Sequence, residues 1–303
     1  RLDQRNNRLK VLTVSSAVNW QLGSRLNRFK ENLLSYLDVE DDTLTTKIMN
    51  FEGELISSYS MPFWELSTCG RYGFALDFSR LATERPGYGY LGNVPDLLVD
   101  SLIVYDIKNK KIEFKLTVDD IPFELNKIEE WYFNHVIIST SGKYCLTTLN
   151  SNNSKRKVLP ILINLKNHNI TLLPNVEFFS HPSFIDDEDL LYFNGWGYVR
   201  HSIENNRIEC LYKSKKDGHP TYVSENKIIT DTYPDRYGKM HLFELNKGTI
   251  KELFSITNPP IYRGDCRCDL HPRLYGDIIY IDAPTLPCRS IYKIGSFFNG
   301  EGN

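Results

Sequence analysis

Four of the seven histidines in this chain of 303 residues, His135, His181, His219 and His271, stand at one position of a recurring strand motif. The copies read Asn134-His135-Val136-Ile137-Ile138-Ser139, Ser180-His181-Pro182-Ser183-Phe184-Ile185, Gly218-His219-Pro220-Thr221-Tyr222-Val223 and Leu270-His271-Pro272-Arg273-Leu274-Tyr275. With so few histidines, chance would usually leave a chosen position of a few repeats empty. Imidazoles at matching places of successive repeats gather in space when the repeats surround an axis, and a ring of them is a candidate site. One chemistry open to it is metal binding. His219 and His271 share the register of adjacent repeats, and Cys268 lies three residues before His271 with Cys266 and Asp269 beside it. A thiolate with two imidazoles is soft enough for zinc, and three protein ligands leave a coordination position open. The competing view of Cys268 is a buried thiol acting as a small hydrophobe.

The elements that would position these residues repeat as well. Pro62-Phe63-Trp64-Glu65-Leu66-Ser67-Thr68-Cys69-Gly70-Arg71-Tyr72 matches Asn134 to Tyr144, with Phe63 where His135 stands. Its Ser-x-x-Gly-basic-aromatic segment predicts a tight turn between two strands, glycine taking the positive φ. A second signature, apolar strand, polar Asn/Gly/Lys turn, apolar strand, occurs at Lys47–Ser58, Leu102–Leu116, Pro160–Leu173, Tyr198–Leu211 and Met240–Phe254. All-strand units of such periods predict propeller blades. The expected fold is therefore all-β: a single β-propeller domain over residues 1–303, built of four-stranded blades. Six repeats can be counted, starting near Gly23, Phe63, His135, His181, His219 and His271; the repeats alone leave room for a seventh, irregular blade, so the blade number stays open. The run Arg8–Val14 is expected to supply the outer strand of a blade whose inner strands come from Ile278–Ile281 and Ser290–Ile294. Such a clasp between the ends would hide exposed strand edges.

Composition agrees with one closed all-β unit. Hydrophobic residues make up 41%, and 18 Tyr with 16 Phe form a strand-rich aromatic load compatible with carbohydrate. Leu22–Leu37 is the best helical candidate, modestly amphipathic. No apolar run reaches bilayer length, which predicts no membrane span. A net charge of −2 argues against nucleic acid as the main partner. The six cysteines fall mostly at strand-like positions and are expected to be reduced thiols. The chain opens at Arg1 with no signal pattern; the cytoplasm is the expected compartment, or the periplasm or exterior if a leader was trimmed.

One segment breaks the repeat: Asp77-Phe78-Ser79-Arg80-Leu81-Ala82-Thr83-Glu84-Arg85-Pro86-Gly87-Tyr88-Gly89-Tyr90. Read as a long loop with Arg80, Arg85, Tyr88 and Tyr90, it suits a ring-shaped anion, because arginine forks carboxylates and aromatics stack on sugar faces. The structural alternative is that Arg80 and Arg85 pair with loop carbonyls or an aspartate.

Several of these stretches together carry a resemblance. Trp20-Gln21-Leu22-Gly23-Ser24, Phe78-Ser79-Arg80-Leu81, Arg85 to Tyr90, Asn134-His135, Ser180-His181, Asp217-Gly218-His219-Pro220, Thr230-Asp231-Thr232-Tyr233-Pro234-Asp235 and Arg267 to Arg273 resemble, in order, a bacterial β-propeller family found with polysaccharide genes and similar to ulvan and oligogalacturonate lyases. The resemblance implies a seven-bladed propeller, uronic-acid substrates, a His/Tyr catalytic set and a nearby metal, often zinc.

Such a lyase removes the C5 proton of a uronate and expels the 4-linked oxygen. The carboxylate must be neutralised and the enolate-like charge stabilised by positioned donors, while a base reaches C5 and an acid reaches the leaving oxygen. The residues implied for proton transfer are His135, His181, Tyr198 and Tyr233. Arg80, Arg85, Tyr88, Tyr90 and Asn150 are implied for an acidic polysaccharide or oligosaccharide, and His219, His271 and Cys268 for a divalent metal. Each has a structural alternative: a satisfied strand-edge histidine, a packing tyrosine, or a Pro-containing turn in which Asp231 caps backbone amides. Two departures from the pattern bear on function. Where relatives carry a further cysteine, this chain reads Ile279-Tyr280-Ile281. Where they carry a second histidine after Asn134-His135, it reads Tyr144 to Asn150 without one. Asn150 is the candidate substitute. Two function classes follow: a lyase acting on an acidic glycan by β-elimination, or a glycan-binding or scaffold propeller that performs no elimination.

Overall fold

The computed structural model describes residues 2–3, 8–23, 25–30, 32–90, 93–121, 130–152, 157–173 and 178–296. The fold is all-β, a β-propeller with six blades, and the chain divides into two compact units, residues 1–174 and 175–303. Blades 1–3 belong to the first unit. Blade 1 is Asn27–Phe29, Leu33–Glu40, Thr43–Asn50 and Leu55–Tyr59; blade 2 is Phe63–Leu66, Tyr72–Leu76, Ser101–Asp106 and Lys111–Thr117; blade 3 is Trp131–Ile138, Tyr144–Ser151, Lys157–Asn164 and Ile170–Leu172. The second unit holds blade 4 (Ser180–Phe184, Asp189–Phe193, Gly197–Ser202, Ile208–Lys213), blade 5 (Thr221–Ser224, Lys227–Asp231, Lys239–Asn246, Thr249–Thr257) and the three-stranded blade 6 (Arg273–Tyr275, Ile278–Ala283, Ser290–Ser296). Neighbouring strands run antiparallel throughout, and the five segments of the second sequence signature fall on the third and fourth strands of blades 1–5.

The blade-2 and blade-3 turns follow one plan. Ser67 N–H donates to Tyr72 O (2.9 Å) and Ser67 Oγ accepts from Tyr72 N–H (2.9 Å); Ser139 and Tyr144 repeat this at 2.9 and 3.0 Å. Gly70 (φ 68°) and Gly142 (φ 78°) occupy the left-handed corner that a side chain would disfavour.

Three expectations are corrected. The blade count is six, not seven, and equals the number of repeats that can be counted. Ile278–Ala283 and Ser290–Ser296 are the second and third strands of the His271 blade, but Arg8–Leu9 pairs with Leu2–Asp3 and joins no blade, so the expected clasp strand is absent among the described residues. The region Leu22–Leu37 forms strands, not a helix. Ser35, Tyr36 and Leu37 are successively buried because the strand is covered on both faces, and such a strand has no clean alternation to betray it.

A further correction concerns the inserted segment of blade 2. Phe78–Glu84 is a short helix, α1, capped by Asp77, whose carboxylate accepts from Arg80 N–H at 2.9 Å. Phe78 and Leu81 are fully buried in the core of the first unit with Leu37, Phe74, Leu76 and Leu102. In the second unit, Leu191, Phe193, Tyr198, Ile228 and Leu245 join blades 4 and 5, and Ile229, Met240, Leu242, Leu270, Ile279 and Ile281 join blades 5 and 6. No described helix is long and apolar enough to cross a membrane.

Candidate functional site

Three of the register histidines meet in the second unit. The rings of His181 and His219 lie 4.0 Å apart, centroid to centroid, and those of His219 and His271 lie 4.1 Å apart. Their backbone explains part of the motif. His181 (φ 49°) and His271 (φ 42°) adopt left-handed conformations, and His181 sits where the pairing of the first two strands shifts register between Ser180 and Ser183. A bulge of this kind turns a side chain out of the sheet's alternation.

Carboxylates hold the rings, and Asp231 is the central one. At the end of the second strand of blade 5 and wholly buried, it accepts from His219 N–H (2.7 Å), His219 Nδ1–H (2.9 and 3.0 Å to its two oxygens) and His271 N–H (3.0 Å). Burial alone would raise its pKa. The charge and hydrogen bonds of His219, with His271, instead hold it down to about 2. An ionised carboxylate only accepts, so Nδ1 of His219 carries the proton and Nε2 is left for a ligand. Burial lowers the pKa of His219, and the neighbouring imidazoles reinforce this against the pull of Asp231. For His271 burial acts in the same direction but is outweighed by Asp282, whose carboxylate lies 3.5 Å from Nδ1, together with Asp231 and Asp269, so its pKa is raised. Asp282 is in turn forked by Arg273 at 2.8 and 2.9 Å.

His181 is held by Asp217. Its Nδ1 lies 3.2 Å from Asp217 Oδ1 and 3.0 Å from Ser180 Oγ, and Ser180 donates to Asp217 Oδ2 at 2.8 Å. Burial opposes ionisation of Asp217, yet His181, Ser180 and the Gly218 amide bring its pKa below the usual carboxylate range. On the far edge of the ring, Nε2 of His181 is 3.2 Å from the Tyr233 hydroxyl, forming the series Asp217–His181–Tyr233. Burial raises the Tyr233 pKa, and Asp217 and Asp269 add to the effect, so the phenol is neutral. Gly218 is required by closeness: a Cβ there would collide with the Asp231 carbonyl.

His219, Asp269 and His271 offer ligand atoms within 4.8 Å of one another. Asp269, the neighbour of Cys268, is the third member of this group. Cys268 is buried, its thiol pushed up to about 11 mainly by that burial, as the small-hydrophobe alternative anticipates. Arg267 holds Asp269 (Nε to Oδ2, 2.8 Å) and places its guanidinium 5.8 Å from the Tyr233 ring centre.

The remaining expected site residues divide by environment. Tyr198 is buried between blades 4 and 5, its hydroxyl 2.9 Å from Thr230 Oγ1 and 3.4 Å from Lys216 O. In the first unit His135 (φ 60°) again sits at a register shift, its ring 5.4 Å from Trp64 and 6.1 Å from Tyr88. Arg80 lies 3.5 Å from Glu84 and 3.8 Å from both Asp100 and Glu130. Arg85 stacks over Tyr88 at 3.9 Å. Tyr90 is buried and donates to Gly23 O at 2.8 Å, removing it from the exposed aromatic set. Asn150 is buried opposite Tyr132, with its side-chain oxygen unpartnered among the described residues. Asp217, Asp269 and Asp282 stand in the quoted motifs or beside them, but nothing in their spacing marks them as partners of the histidines.

No known family profile and no curated protein matches the chain. Solved structures do. An oligogalacturonate lyase from Vibrio parahaemolyticus superposes with a TM-score of 0.56 at 10% identity, covering 94% of this chain and 78% of that one. An oligogalacturonate lyase in complex with manganese gives 0.51 at 8% identity, covering 88% and 86%. An acylaminoacyl peptidase from Pyrococcus horikoshii gives 0.55 at 10% identity over 88% of this chain and 44% of its own. At such identities the likeness shows the propeller fold, which serves unlike chemistries in these proteins. Function has to be argued from the site.

Proposed function

We propose that the chain is a polysaccharide lyase that cleaves a uronate-containing glycan by β-elimination, with its reacting centre at His181, Tyr233, His219 and His271. The observation that carries this is the Asp217–His181–Tyr233 series beside the His219–Asp269–His271 group. Elimination needs a base and an acid close together and a positive locus for the uronate carboxylate. His181, fixed through Nδ1 by Asp217, turns Nε2 toward the substrate side as the base for the C5 proton. Tyr233, held as a neutral phenol, supplies a proton to the departing oxygen. Likeness to two oligogalacturonate lyases supports the substrate class.

The donor set of two imidazoles and a carboxylate fits a divalent cation, and each ligand is backed by a partner of its own: Asp231 for His219, Asp282 for His271, Arg267 for Asp269. The manganese bound to one of the neighbouring lyases supports a divalent ion here; zinc is the finer alternative that the same donors accept. Bound there, a cation would neutralise the uronate carboxylate and stabilise enolate charge. Within the first unit, His135 with Arg85 and Tyr88 stays a separate candidate for proton transfer and sugar contact. The competing reading, a glycan-binding propeller without elimination, is favoured by Asn150, which stands where the family pattern expects histidine.

The deciding experiment incubates the protein with uronate polymers and follows the ultraviolet absorbance of the unsaturated product. The expected result is elimination that falls about 10²–10⁴-fold in His181→Ala and Tyr233→Phe. Binding without elimination on every uronate polymer tried would establish the competing reading instead.

A further inference from the structure

We infer that Trp196, Phe178 and the lysines Lys213, Lys215 and Lys216 form a platform that holds an acidic glycan chain alongside the His181 centre; this rests on the proposal that the centre acts on such a glycan. Trp196 is the most exposed large aromatic among the described residues of the second unit, at 81%, and Phe178 is 46% exposed. Both belong to one corner of blade 4. Phe178 packs edge-on against Phe193 at 5.8 Å, and a Cβ on Gly195 would meet it at 3.2 Å.

That corner lies at the same end of the blade as the histidine. Ser180, next to His181, is the strand partner of Phe193, and Trp196 follows Phe193 by three residues. The indole's backbone is therefore within about 11 Å of Phe193, a reach that an oligosaccharide spans. A second path links them. Ser214 N–H donates to Trp196 O (3.0 Å), Ser214 Oγ donates to Lys216 O (2.8 Å), and the next residue is Asp217, the partner of His181.

The turn that carries the exposed aromatic is fixed by hydrogen bonds. Asn194 Oδ1 accepts from both Trp196 N–H (3.0 Å) and Gly197 N–H (3.1 Å), and Gly195 takes a φ of 90° to close the turn. A large flat face carried on a fixed turn and open to water is available for binding. Lysine supplies three of the four residues 213–216, all exposed, on a chain whose net charge is −2. An indole face for the C–H surface of a sugar and a basic run for its carboxylates together specify an acidic glycan rather than a neutral one.

The test titrates the full-length protein with uronate oligomers of increasing length and reads intrinsic fluorescence and affinity, using Trp196→Ala and a Lys213, Lys215 and Lys216 triple alanine variant. Expected are quenching of the wild-type signal by long oligomers, loss of that quenching in Trp196→Ala with affinity for long chains reduced about three- to tenfold relative to short ones, and a flatter salt dependence in the triple variant. Wild-type affinity for long oligomers in Trp196→Ala overturns the platform while leaving elimination untouched. Trp196-dependent binding by a protein that eliminates no uronate sustains the platform and removes the lyase reading. A Trp196→Ala effect confined to self-association, seen by sedimentation, also overturns it.

Discussion

Replacing Asp231 with asparagine keeps the shape of the side chain and removes its charge, which makes it the sharpest probe of the site. Three donors converge on this carboxylate: two backbone amides, from His219 and His271, and the His219 imidazole. Asparagine presents one acceptor oxygen and turns an NH₂ group toward donors, leaving at least one buried donor unsatisfied at a cost of about 1–3 kcal/mol. The surviving bonds also lose their ionic strength, about 1 kcal/mol each. The sum is about 3 kcal/mol, at the lower end of the roughly 3–5 kcal/mol for breaking a buried ion pair. At roughly 2–4 °C per kcal/mol for a domain of this size, the melting temperature should fall by about 6–12 °C at neutral pH. The same change frees the His219 ring to rotate, so affinity for a divalent ion should drop about 10–100-fold. Calorimetric melting and ion titration of tag-free protein measure both. A variant that melts within about 2 °C of wild type and binds the ion equally well would show that Asp231 neither supports the loops nor orients the imidazole.

Other expectations follow from neighbouring groups. Manganese or zinc at 100 times its dissociation constant should stabilise the wild type by about 2.7 kcal/mol, and His271→Ala should abolish the gain; equal melting with and without ion would dismiss the metal group. Tyr198→Phe should cost about 1 kcal/mol of stability in urea melts, through the lost Thr230 bond, and a large fall in elimination rate at unchanged stability would return this tyrosine to the chemistry. Gly218→Ala should disturb the site as much as Asp231→Asn does, read by the same ion titration, because the added methyl presses on the Asp231 backbone. Asp38 accepts from Lys47 (2.7 Å) and Ser16 (3.0 and 3.1 Å), and although burial opposes it, these bonds lower its pKa. A lowered folded-state pKa stabilises above the unfolded value near 4 and loses that stabilisation as pH falls through the folded value, so Asp38→Asn should flatten the acid side of the melting-temperature profile.

The repeat made the architecture legible because its turns are dictated locally. Ser67 and Ser139 close identical corners, each needing a glycine at positive φ, and the spacing of such corners marks successive blades. Where the chain misled, burial was the cause. Leu33–Glu40 is covered on both faces, so its apolar residues run together and imitate part of a helix. Phe78–Glu84 reads as loop because the repeat is broken there and the helix has only seven residues, too few to build a strong period. Tyr90 and Tyr198 belong to suggestive motifs and both are buried, and nothing in one sequence separates a buried tyrosine from an exposed one.

The histidines could be found and their partners could not, and the difference is one of abundance and direction. Four of only seven histidines in one register are conspicuous, whereas Asp217, Asp231, Asp269 and Asp282 are four among 38 acidic residues. What singles out these aspartates is geometry. Asp231 ends a strand whose neighbours deliver two backbone amides and an imidazole to one point, and Asp217 reaches His181 only because the loop from blade 4 to blade 5 passes above the start of blade 4's first strand. The aspartates also set what the rings can do. Through their Nδ1 atoms they fix His219, and orient His181 and His271, so that Nε2 of His181 meets Tyr233 while His219 and His271 share a group with Asp269. A histidine register on the same propeller without these carboxylates would be three rings free to titrate and rotate. With them it is a preorganised centre, and the chemistry of the site is as much a property of the buried acids as of the motif that reveals it.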